Sequence, residues 1–357
     1  MNLYKSLIFI LYLGIFLGSG FRTPAQSRDS ITLYGTLDTV QVIRQRIQHA
    51  NEANAGARVT HISPAILQAN KTRSLAELLT DHTSIYIKSL GTGALSTASF
   101  RGTSASQTRV NWNGINITPP LSGTFDFSQI PVFFTDNINL YYGSSHVKNG
   151  TGAIGGSVNL FTDTDWNRGV NGRVLAEYGS YNTYTVGGQA NISGNKSASK
   201  TRLYYQHSDN DYTYLNKVLT NTPFREKRQD AAYSQFGIMQ EGYFRVSPYT
   251  RLTAVAWYQK NHRNLPQPLG VVNRSQEDQE ENNFRGYAGL DFSRGIHELH
   301  VKAAWLYFCQ TYDIRYDGGL FDPKGNKNRS NTAQVVADYT YSPTDKLILN
   351  TTLTYSH

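Results

Sequence analysis

Residues 299–307, LHVKAAWLY, decide the fold class of this chain. Their odd positions are apolar and their even positions are mixed, which is the pattern of a β-strand with one buried face. The stretch AQVVADYTY at 333–341 repeats this parity, and LILNTTLTY at 347–355 repeats it less regularly. Alternating segments of about ten residues with aromatic residues near their ends are typical of transmembrane β-barrels.

The lengths of the connections also favour a barrel, because barrels have tight turns on one side of the membrane and long loops on the other. The chain has short joins at 193–196, 247–250, 293–295 and 342–345, and long polar stretches at 213–230, 262–282 and 313–330. A soluble β-sandwich can alternate too, but it does not need this rhythm.

Residues 166–357 should therefore form part of a transmembrane antiparallel β-barrel, with about nine strands. Nine strands that end in an alternating segment would leave an open edge in lipid, where every backbone group must be paired. We therefore expect the chain to be a truncated fragment of a longer protein.

The first residues have the pattern of an export signal. Lys5 precedes the apolar run 7–17, and small residues follow at 18–20 and 25–27. This order predicts a secretory signal peptide over residues 1–27, with an uncleaved membrane anchor as the alternative. No later apolar stretch approaches the ~20 residues that a spanning helix needs, so a mature chain that crosses a membrane must do so with strands.

Residues 28–56 predict a flexible polar leader with one extended island, Asp38-Thr39-Val40-Gln41-Val42. A short extended segment of this kind can add a strand to the open sheet edge of a partner. The alternative is an ordinary strand of the domain that follows.

Residues 57–165 predict a compact α/β domain. Ser63 followed by Pro64 has the pattern of a helix start, and Ser74 with Glu77 predicts a capping box before a second helix. Glycine- and proline-rich turns separate the strand-like segments at 58–62, 84–88, 108–112 and 137–141. A domain of this size before a barrel implies a wide lumen, because small barrels fill with side chains.

The stretch NGTGAIGGSVNLFT at 149–162 contains a match to the glycine fingerprint of dinucleotide-binding enzymes. That fingerprint holds a phosphate only where a helix leaves the loop. Here an alternating β-branched and aromatic segment follows Gly156, so we predict a tight connection into a strand and no nucleotide site. The glycines that we expect to be structural are Gly102, Gly114, Gly152, Gly155 and Gly156.

Composition excludes several classes of function. The net charge is +8, but the cations are scattered, whereas a nucleic-acid site would need a clustered patch. A single cysteine, Cys309, excludes an internal disulfide and a multi-cysteine metal site. No Ser, His and Asp set can be argued from spacing, so we expect no catalytic residues and no enzyme activity.

Taken together, residues 38 to about 350 resemble the TonB-dependent outer-membrane receptors. The plug domain of that family is matched by LAELL at 75–79, SFRGTSASQ at 99–107, WNG at 112–114 and GAIGGSVNL at 152–160. The resemblance implies a TonB box at Asp38, Thr39, Val40, Gln41 and Val42, and a barrel in which these are about nine strands of an expected 22. It also implies the partner TonB with its inner-membrane energising complex, and a location in the outer membrane of a Gram-negative bacterium, surrounded by its lipid.

In this family, two plug arginines often meet acids of the barrel wall. Arg101 matches one of them and is expected to make a plug–barrel contact, with a plain surface arginine as the alternative. This chain has Tyr142-Gly143-Ser144 where many members carry Arg-Gly-Pro, so no second arginine is assigned.

Among the family branches, RGTSASQTRVNWNGI at 101–115 followed by LSGTFDFSQIP at 121–131 looks most like the cobalamin receptors. That likeness implies that outward-facing plug loops contact the ligand through Thr92, Ala94, Leu95, Ser96, Thr97, Asn116, Thr118, Pro119, Leu121 and Ser122. Solvated turns with no ligand role are the alternative. Cobalamin receptors also use calcium in outer loops, for which Asp209, Asp211 and the acidic run 277–281 are candidates.

The expected function is active import of a large scarce nutrient, cobalamin by resemblance, into the periplasm. A ferric-siderophore receptor has the same architecture and differs only in loop chemistry. An outer-membrane adhesin or a passive porin is a different class, and neither needs a TonB box or a plug.

Overall fold

The computed structural model describes residues 58–143, 153–218, 222–269, 275–316, 325–344 and 347–357, all within one compact unit. The predicted signal peptide, leader and TonB box lie outside the described residues, as does Gly152. Among the described residues, no helix combines the length and the apolar character that crossing a membrane requires.

The plug, residues 58–161, is an α/β domain as predicted. Its helices are α1 Pro64–Ala69 and α2 Leu75–His82, and short 3-10 turns lie at Ala105–Gln107, Phe127–Gln129 and Val132–Phe134. The strands described in it are β1 Arg58–His61, β2 Tyr86–Ser89, β3 Ser96–Ser99, β4 Thr108–Trp112, β5 Ile115–Asn116, β6 Asn137–Tyr142 and β7 Gly156–Phe161.

Side-chain caps explain where the two helices begin. Ser63 Oγ accepts a hydrogen bond from Ile66 N at 3.3 Å, with Pro64 at the first helical position. Ser74 Oγ accepts from Glu77 N at 3.3 Å, and Glu77 Oε2 accepts from Ser74 N at 2.8 Å. Both predicted helix starts are thus confirmed, and the second is a complete capping box.

The plug core lies around a five-stranded sheet with the order β1-β6-β7-β4-β5. The β4–β7 pair is parallel and the other pairs are antiparallel. Leu75, Leu78 and Leu79 of α2 are buried in this core, together with Val110 of β4 and Val158 of β7. Strands β2 and β3 form a separate hairpin.

The second part of the unit is a sheet of nine described strands in the order β18-β17-β16-β15-β14-β13-β10-β9-β8, all antiparallel. This confirms the predicted partial barrel sheet. The strands are β8 Gly169–Gly179, β9 Thr183–Ser193, β10 Ser197–Ser208, β13 Tyr233–Ser247, β14 Thr250–Asn264, β15 Ser275–Arg294, β16 His297–Tyr316, β17 Asn326–Thr344 and β18 Leu347–Ser356.

Alternate residues of this sheet face the plug, and we call that side the inner face. On β14, Val255, Trp257 and Gln259 are buried, whereas Leu252 on the opposite face is 42% exposed. On β18, Leu353 of the outer face is likewise exposed. An outer face that presents apolar side chains is what a barrel exposes to lipid.

The long connections are shorter than the sequence analysis predicts. β14 runs to Asn264 and β15 starts at Ser275, and the next connection lies only between Tyr316 and Asn326. The stretch 213–230 contains a hairpin of β11 Thr213–Asn216 and β12 Phe224–Lys227. Polarity misled this prediction, because strand pairing needs only backbone hydrogen bonds and continues through polar side chains.

Aromatic rings fill the space between the plug and the inner face. The Phe134 ring lies 5.3 Å from Trp257 and 6.1 Å from Tyr204, and Trp112 lies 5.4 Å from Trp257. Phe134 packs directly over Gly237 of β13, where an added Cβ would lie 2.6 Å from the ring. A glycine in the wall therefore makes room for a plug side chain.

Amide side chains of the wall supply a second kind of contact with the plug. Gln235 Nε2 donates to Ser128 O at 2.9 Å, and Asn261 Nδ2 donates to Gln129 Oε1 at 2.9 Å. Gln259 Nε2 also donates to Gln129 O. These bonds satisfy buried polar groups of the 3-10 turn at Phe127–Gln129.

Candidate functional site

The first predicted ligand loop joins β2 to β3 at the end of the sheet that carries the long connections. Asn210, just after β10, donates Nδ2 to Thr92 O at 3.0 Å. Thr92 and Leu95 are exposed, whereas Ser96 is buried and its backbone N–H donates to Asp126 Oδ1 at 3.0 Å. Ser96 therefore supports the loop from inside. The other predicted residues of this loop, Ala94 and Thr97, are half-buried.

The second predicted ligand loop follows β5 and is fixed to the wall at Gln334 of β17. Gln334 Nε2 donates to Asn116 O at 2.7 Å, and Asn116 N donates to Gln334 Oε1 at 3.2 Å. Within the loop, Thr118 N donates to Asn116 Oδ1 at 3.1 Å. Leu121 and Ser122 at its tip are exposed.

Asp126 joins both loops to the wall. Its Oδ1 accepts from the N–H groups of Ser96 and Ser128, and its Oδ2 accepts from Arg263 Nη1 of β14 at 2.7 Å. The two side chains are only 11% and 9% exposed, so this is a buried, charge-assisted pair. We call the Asp126–Arg263 pair the loop anchor.

Two cavities lie between these loops and the inner face. The larger, about 410 Å³, is bounded by the loop 116–120 and strands β15–β18, and includes Asn116, Thr118 and Pro119. The smaller, about 180 Å³, includes Leu95, Pro119 and Ser122. The structure thus brings five of the ten predicted ligand residues to these cavities, and the remaining five line neither: Thr92, Ala94, Ser96, Thr97 and Leu121.

A second buried ionic group ties the plug to β10. Asp136, just before β6, accepts at Oδ2 from Arg202 Nη2 and, at 3.0 Å, from Lys200 Nζ. Arg202 also lies 3.3 Å from Glu241 Oε1 of β13, and both of these side chains are fully buried. We call Asp136 with Lys200 and Arg202 the wall anchor. Burial alone would raise the pKa of Asp136, but the neighbouring cations outweigh burial and hold it well below its usual range.

Lys71 lies beside the wall anchor and is held by backbone carbonyls. Its Nζ donates to Val132 O at 3.4 Å and to Thr135 O. Burial lowers the pKa of Lys71 to about 8, although the charge of Asp136 acts in the opposite direction. Lys71 therefore titrates close to physiological pH.

The predicted plug–barrel role of Arg101 is not seen among the described residues. Arg101 is exposed in the turn after β3, at a left-handed φ of 50°, and its guanidinium lies 5.9 Å from the Tyr142 ring of the plug itself. No described barrel acid forms an ion pair with it. In the described part of the chain, acids of the plug meet cations of the wall, which reverses the expected polarity.

Sequence reasoning missed both anchors, although a signal was available. Lys200 and Arg202 are two residues apart in the alternating segment of β10, so both must lie on one face. A lipid-facing position would be costly for either charge, and the parity therefore points both to the plug side.

The glycines that match the dinucleotide-binding fingerprint allow close packing of the backbone. β7 starts at Gly156, so a strand leaves the loop as predicted. A Cβ at Gly156 would lie 2.5 Å from Tyr141 O, and one at Gly155 would lie 2.2 Å from Thr103 Oγ1. Gly114 follows Asn113 in the β4–β5 turn, where both residues have positive φ. Gly102 also has a positive φ, next to Arg101.

The two calcium candidates have protein partners in the structure. Asp209 accepts from Asn182 Nδ2 at 3.1 Å, and Asp211 pairs with Lys227 at 2.7 Å. The acidic run 277–281 lies on β15 and not in a loop, which corrects its predicted placement. Among the described residues, no group of three or more His, Cys, Asp or Glu is placed to hold a metal ion.

Comparison with known proteins identifies the plug. Residues 51–157 match the family described as TonB-dependent Receptor Plug Domain. The vitamin B12 transporter BtuB of Photobacterium profundum is 32% identical over 135 residues, which are 38% of this chain and 22% of that protein. BtuB of Vibrio cholerae serotype O1 is 32% identical over 126 residues, 35% of this chain and 20% of that protein. The match thus spans about a fifth of these curated relatives.

Solved structures share the fold over most of the chain. The FrpB iron transporter of Neisseria meningitidis superposes with a TM-score of 0.67 at 13% identity, covering 84% of this chain and 48% of that one. The pyoverdine receptor FpvA of Pseudomonas aeruginosa gives 0.65 at 14% identity, covering 84% and 46%. The plug match, the plug's place on the inner face of a partial barrel and this shared fold agree, and we conclude that residues 51–157 are a plug domain of the kind found in TonB-dependent receptors.

Proposed function

We propose that the protein carrying this chain is an active transporter of the outer membrane that imports cobalamin with energy supplied by TonB. The observation that carries the proposal is the 32% identity to vitamin B12 transporters. The sequence motifs of the cobalamin branch lie in the plug segment that forms the β4–β5 turn and the second ligand loop.

The geometry supports transport that needs work. The plug is held against the inner face by the wall anchor and the loop anchor, so a large ligand passes only if these contacts break. The outer membrane holds no ATP, and the force must therefore come from the inner membrane. Residues 38–42, which precede the described plug, are proposed as the TonB box that the partner holds by strand addition.

Binding tests the proposed substrate. The receptor expressed from its full-length gene should bind cyanocobalamin at nanomolar strength in calorimetric titration. Titrations with and without calcium test whether Asp209 and Asp211 contribute to an outer-loop calcium site. If titration gave no heat with cyanocobalamin but gave heat with a ferric siderophore, the proposed substrate would change to the siderophore. The proposed transporter function would stand.

Uptake tests the proposed coupling. Val40→Pro should abolish uptake of cyanocobalamin by cells without weakening its binding, because proline removes a backbone donor that strand addition needs. Ala53→Pro, a proline in the same leader outside residues 38–42, is the matched control and should transport normally. Equal uptake by the two variants would contradict a TonB box at 38–42.

A further inference from the structure

The larger cavity has an unusual charge pattern. Arg109 of β4 lies on its plug side, and Arg285 of β15 lies on its wall side. Among the described residues that line it, none is Asp or Glu. Hydroxyl groups of β17 and β18, such as those of Thr332 and Thr354, supply further donors.

Arg285 is a buried cation without an acidic partner. The residue is 7% exposed, and it forms no ion pair with a carboxylate of the described residues. Its guanidinium lies 4.4 Å from the Trp257 ring, and Nη1 donates to Gln259 Oε1 at 3.0 Å. A guanidinium has five N–H donors, and a buried charge is costly unless it is paired. Arg285 therefore has donors left for an anion in the cavity.

The acids of the adjoining smaller cavity do not fill this role. Asp126 is paired with Arg263 in the loop anchor. Glu281 Oε1 accepts from Gln279 Nε2 at 2.6 Å and from Gln310 Nε2 at 2.9 Å. Arg285 lines both cavities, and the charge of Glu281 acts on it from the smaller one, whereas the described lining of the larger cavity brings no acid to it.

We propose that the larger cavity binds an oxyanion of the transported ligand, with Arg285 as the charged donor and Arg109 as a second positive charge in the lining. This inference rests on the proposed transport function and adds the prediction that the transported ligand carries a negatively charged group. A cavity of about 410 Å³ suits one group of a large ligand. In cobalamin that group is the phosphodiester of the nucleotide loop.

The test measures binding of four ligands to the purified full-length receptor. Cyanocobalamin has the phosphodiester and cobinamide lacks it, and a ferric tricatecholate is anionic whereas ferrioxamine B is cationic. The variants are Arg285→Gln, Arg285→Lys and Arg109→Gln. Arg245→Gln is the matched control, because Arg245 also stacks on a tryptophan, 3.8 Å from the Trp166 ring, but lies outside the cavity.

The wild type should bind cyanocobalamin or the tricatecholate. We expect Arg285→Gln and Arg109→Gln to lower the affinity for that anionic ligand by about tenfold or more, because each removes a charge that interacts with the anion. Binding of cobinamide or ferrioxamine B should not change, and Arg285→Lys should fall in between. Equal weakening for ligands with and without the anion would show a merely structural role and overturn the inference.

The two proposals fail differently. One outcome is that the wild type binds the tricatecholate and not cyanocobalamin, with tricatecholate affinity lowered only in Arg285→Gln and Arg109→Gln. That result would contradict cobalamin as the substrate and support the anion site. A wild type that binds cyanocobalamin and cobinamide equally, with no effect of either variant, would keep the substrate and sink the anion site. Binding of neither anionic ligand would overturn the inference.

Discussion

A single carboxylate at Asp136 neutralises two cations of the wall, so its replacement has a predictable cost. Asp136→Asn keeps the shape but leaves Lys200 and Arg202 short of negative charge. Removing one partner of a buried ion pair lowers the free energy of unfolding by about 3–5 kcal/mol. Asp136 is partly exposed, so this range is an upper limit for Asp136→Asn. Hydrogen exchange of α2 in the purified receptor should therefore speed up.

The matched control for this change is Asp165→Asn, since Asp165 pairs with Arg168 at 3.2 Å on the exposed surface. Exposed pairs contribute little, and exchange should stay at the wild-type rate. Equal effects of the two variants would contradict the wall anchor. Because the pKa of Asp136 is held low, its contribution is complete above about pH 4 and is lost only as the pH falls below that value.

Lys71 predicts a second pH dependence of the same sign, at higher pH. Its pKa is about 8 in the folded plug and rises to the ordinary lysine range on unfolding. Between these values the unfolded state binds more protons, so plug stability should rise with pH, by on the order of 3 kcal/mol in total. Lys71→Met should remove this rise, as measured by urea-dependent exchange of α2 from pH 7 to about pH 10.5. A rise of the same size in the variant would contradict this assignment.

At the residue scale, the sequence was informative where local chemistry decides the outcome. The cap residues Ser63 and Ser74 and the glycines at 155 and 156 follow local rules, and the structure places them as expected. Arg101 lies against Tyr142 and Asp136 pairs with Arg202, 66 residues away, and no local rule supplies either pairing.

Among the elements, β13 contains the clearest fit between wall and plug. Gly237→Leu would place a side chain where the Phe134 ring lies, and overpacking of this kind costs about 1–3 kcal/mol. The plug should become more sensitive to limited proteolysis while the barrel keeps its strand content by circular dichroism. Gly188→Leu is the control, because nothing lies within 4 Å of a Cβ there. Equal sensitivity of the two variants would contradict the proposed packing.

The strands show how far alternation carries a prediction. It gave the count of nine and the start of β18 to within a residue or two, because a buried inner face and an exposed outer face impose a period of two. It failed at the polar ends of β14, β15 and β16. Beyond the lipid, both faces are polar, and the period that marks a strand disappears from the sequence.

For the whole molecule, the proposed transport requires that the plug move against the wall. Gln68 of α1 and Arg173 of β8 are joined by a hydrogen bond of 2.6 Å and are exposed, and neither residue lines the larger or the smaller cavity. Gln68→Cys with Arg173→Cys, bridged by a short bismaleimide, should stop uptake and leave ligand binding unchanged. The two single-cysteine variants, treated in the same way, should transport normally. Full uptake by the bridged receptor would show that this part of the plug stays in place.

The overall architecture could be predicted from sequence because several independent signals agree on it. Motif order indicates the plug, parity indicates the sheet, and the two are consistent. The larger cavity could not be predicted, since it forms between β4, the second ligand loop and strands more than 150 residues away. The loop residues on the plug side of the cavity could be predicted as ligand contacts. On the wall side, alternation shows only that Arg285 faces inward and does not distinguish it from other inward side chains.

The amide contacts between wall and plug have a further consequence for the plug motion that the proposed transport needs. Gln235 and Asn261 hold the plug through single hydrogen bonds, each of which water can replace at little net cost. A continuous apolar contact between plug and wall has no hydrogen bonds that water could replace in this way. We therefore expect water entering the lumen to lubricate the motion, so that osmolytes too large to enter the barrel slow uptake by drawing water out.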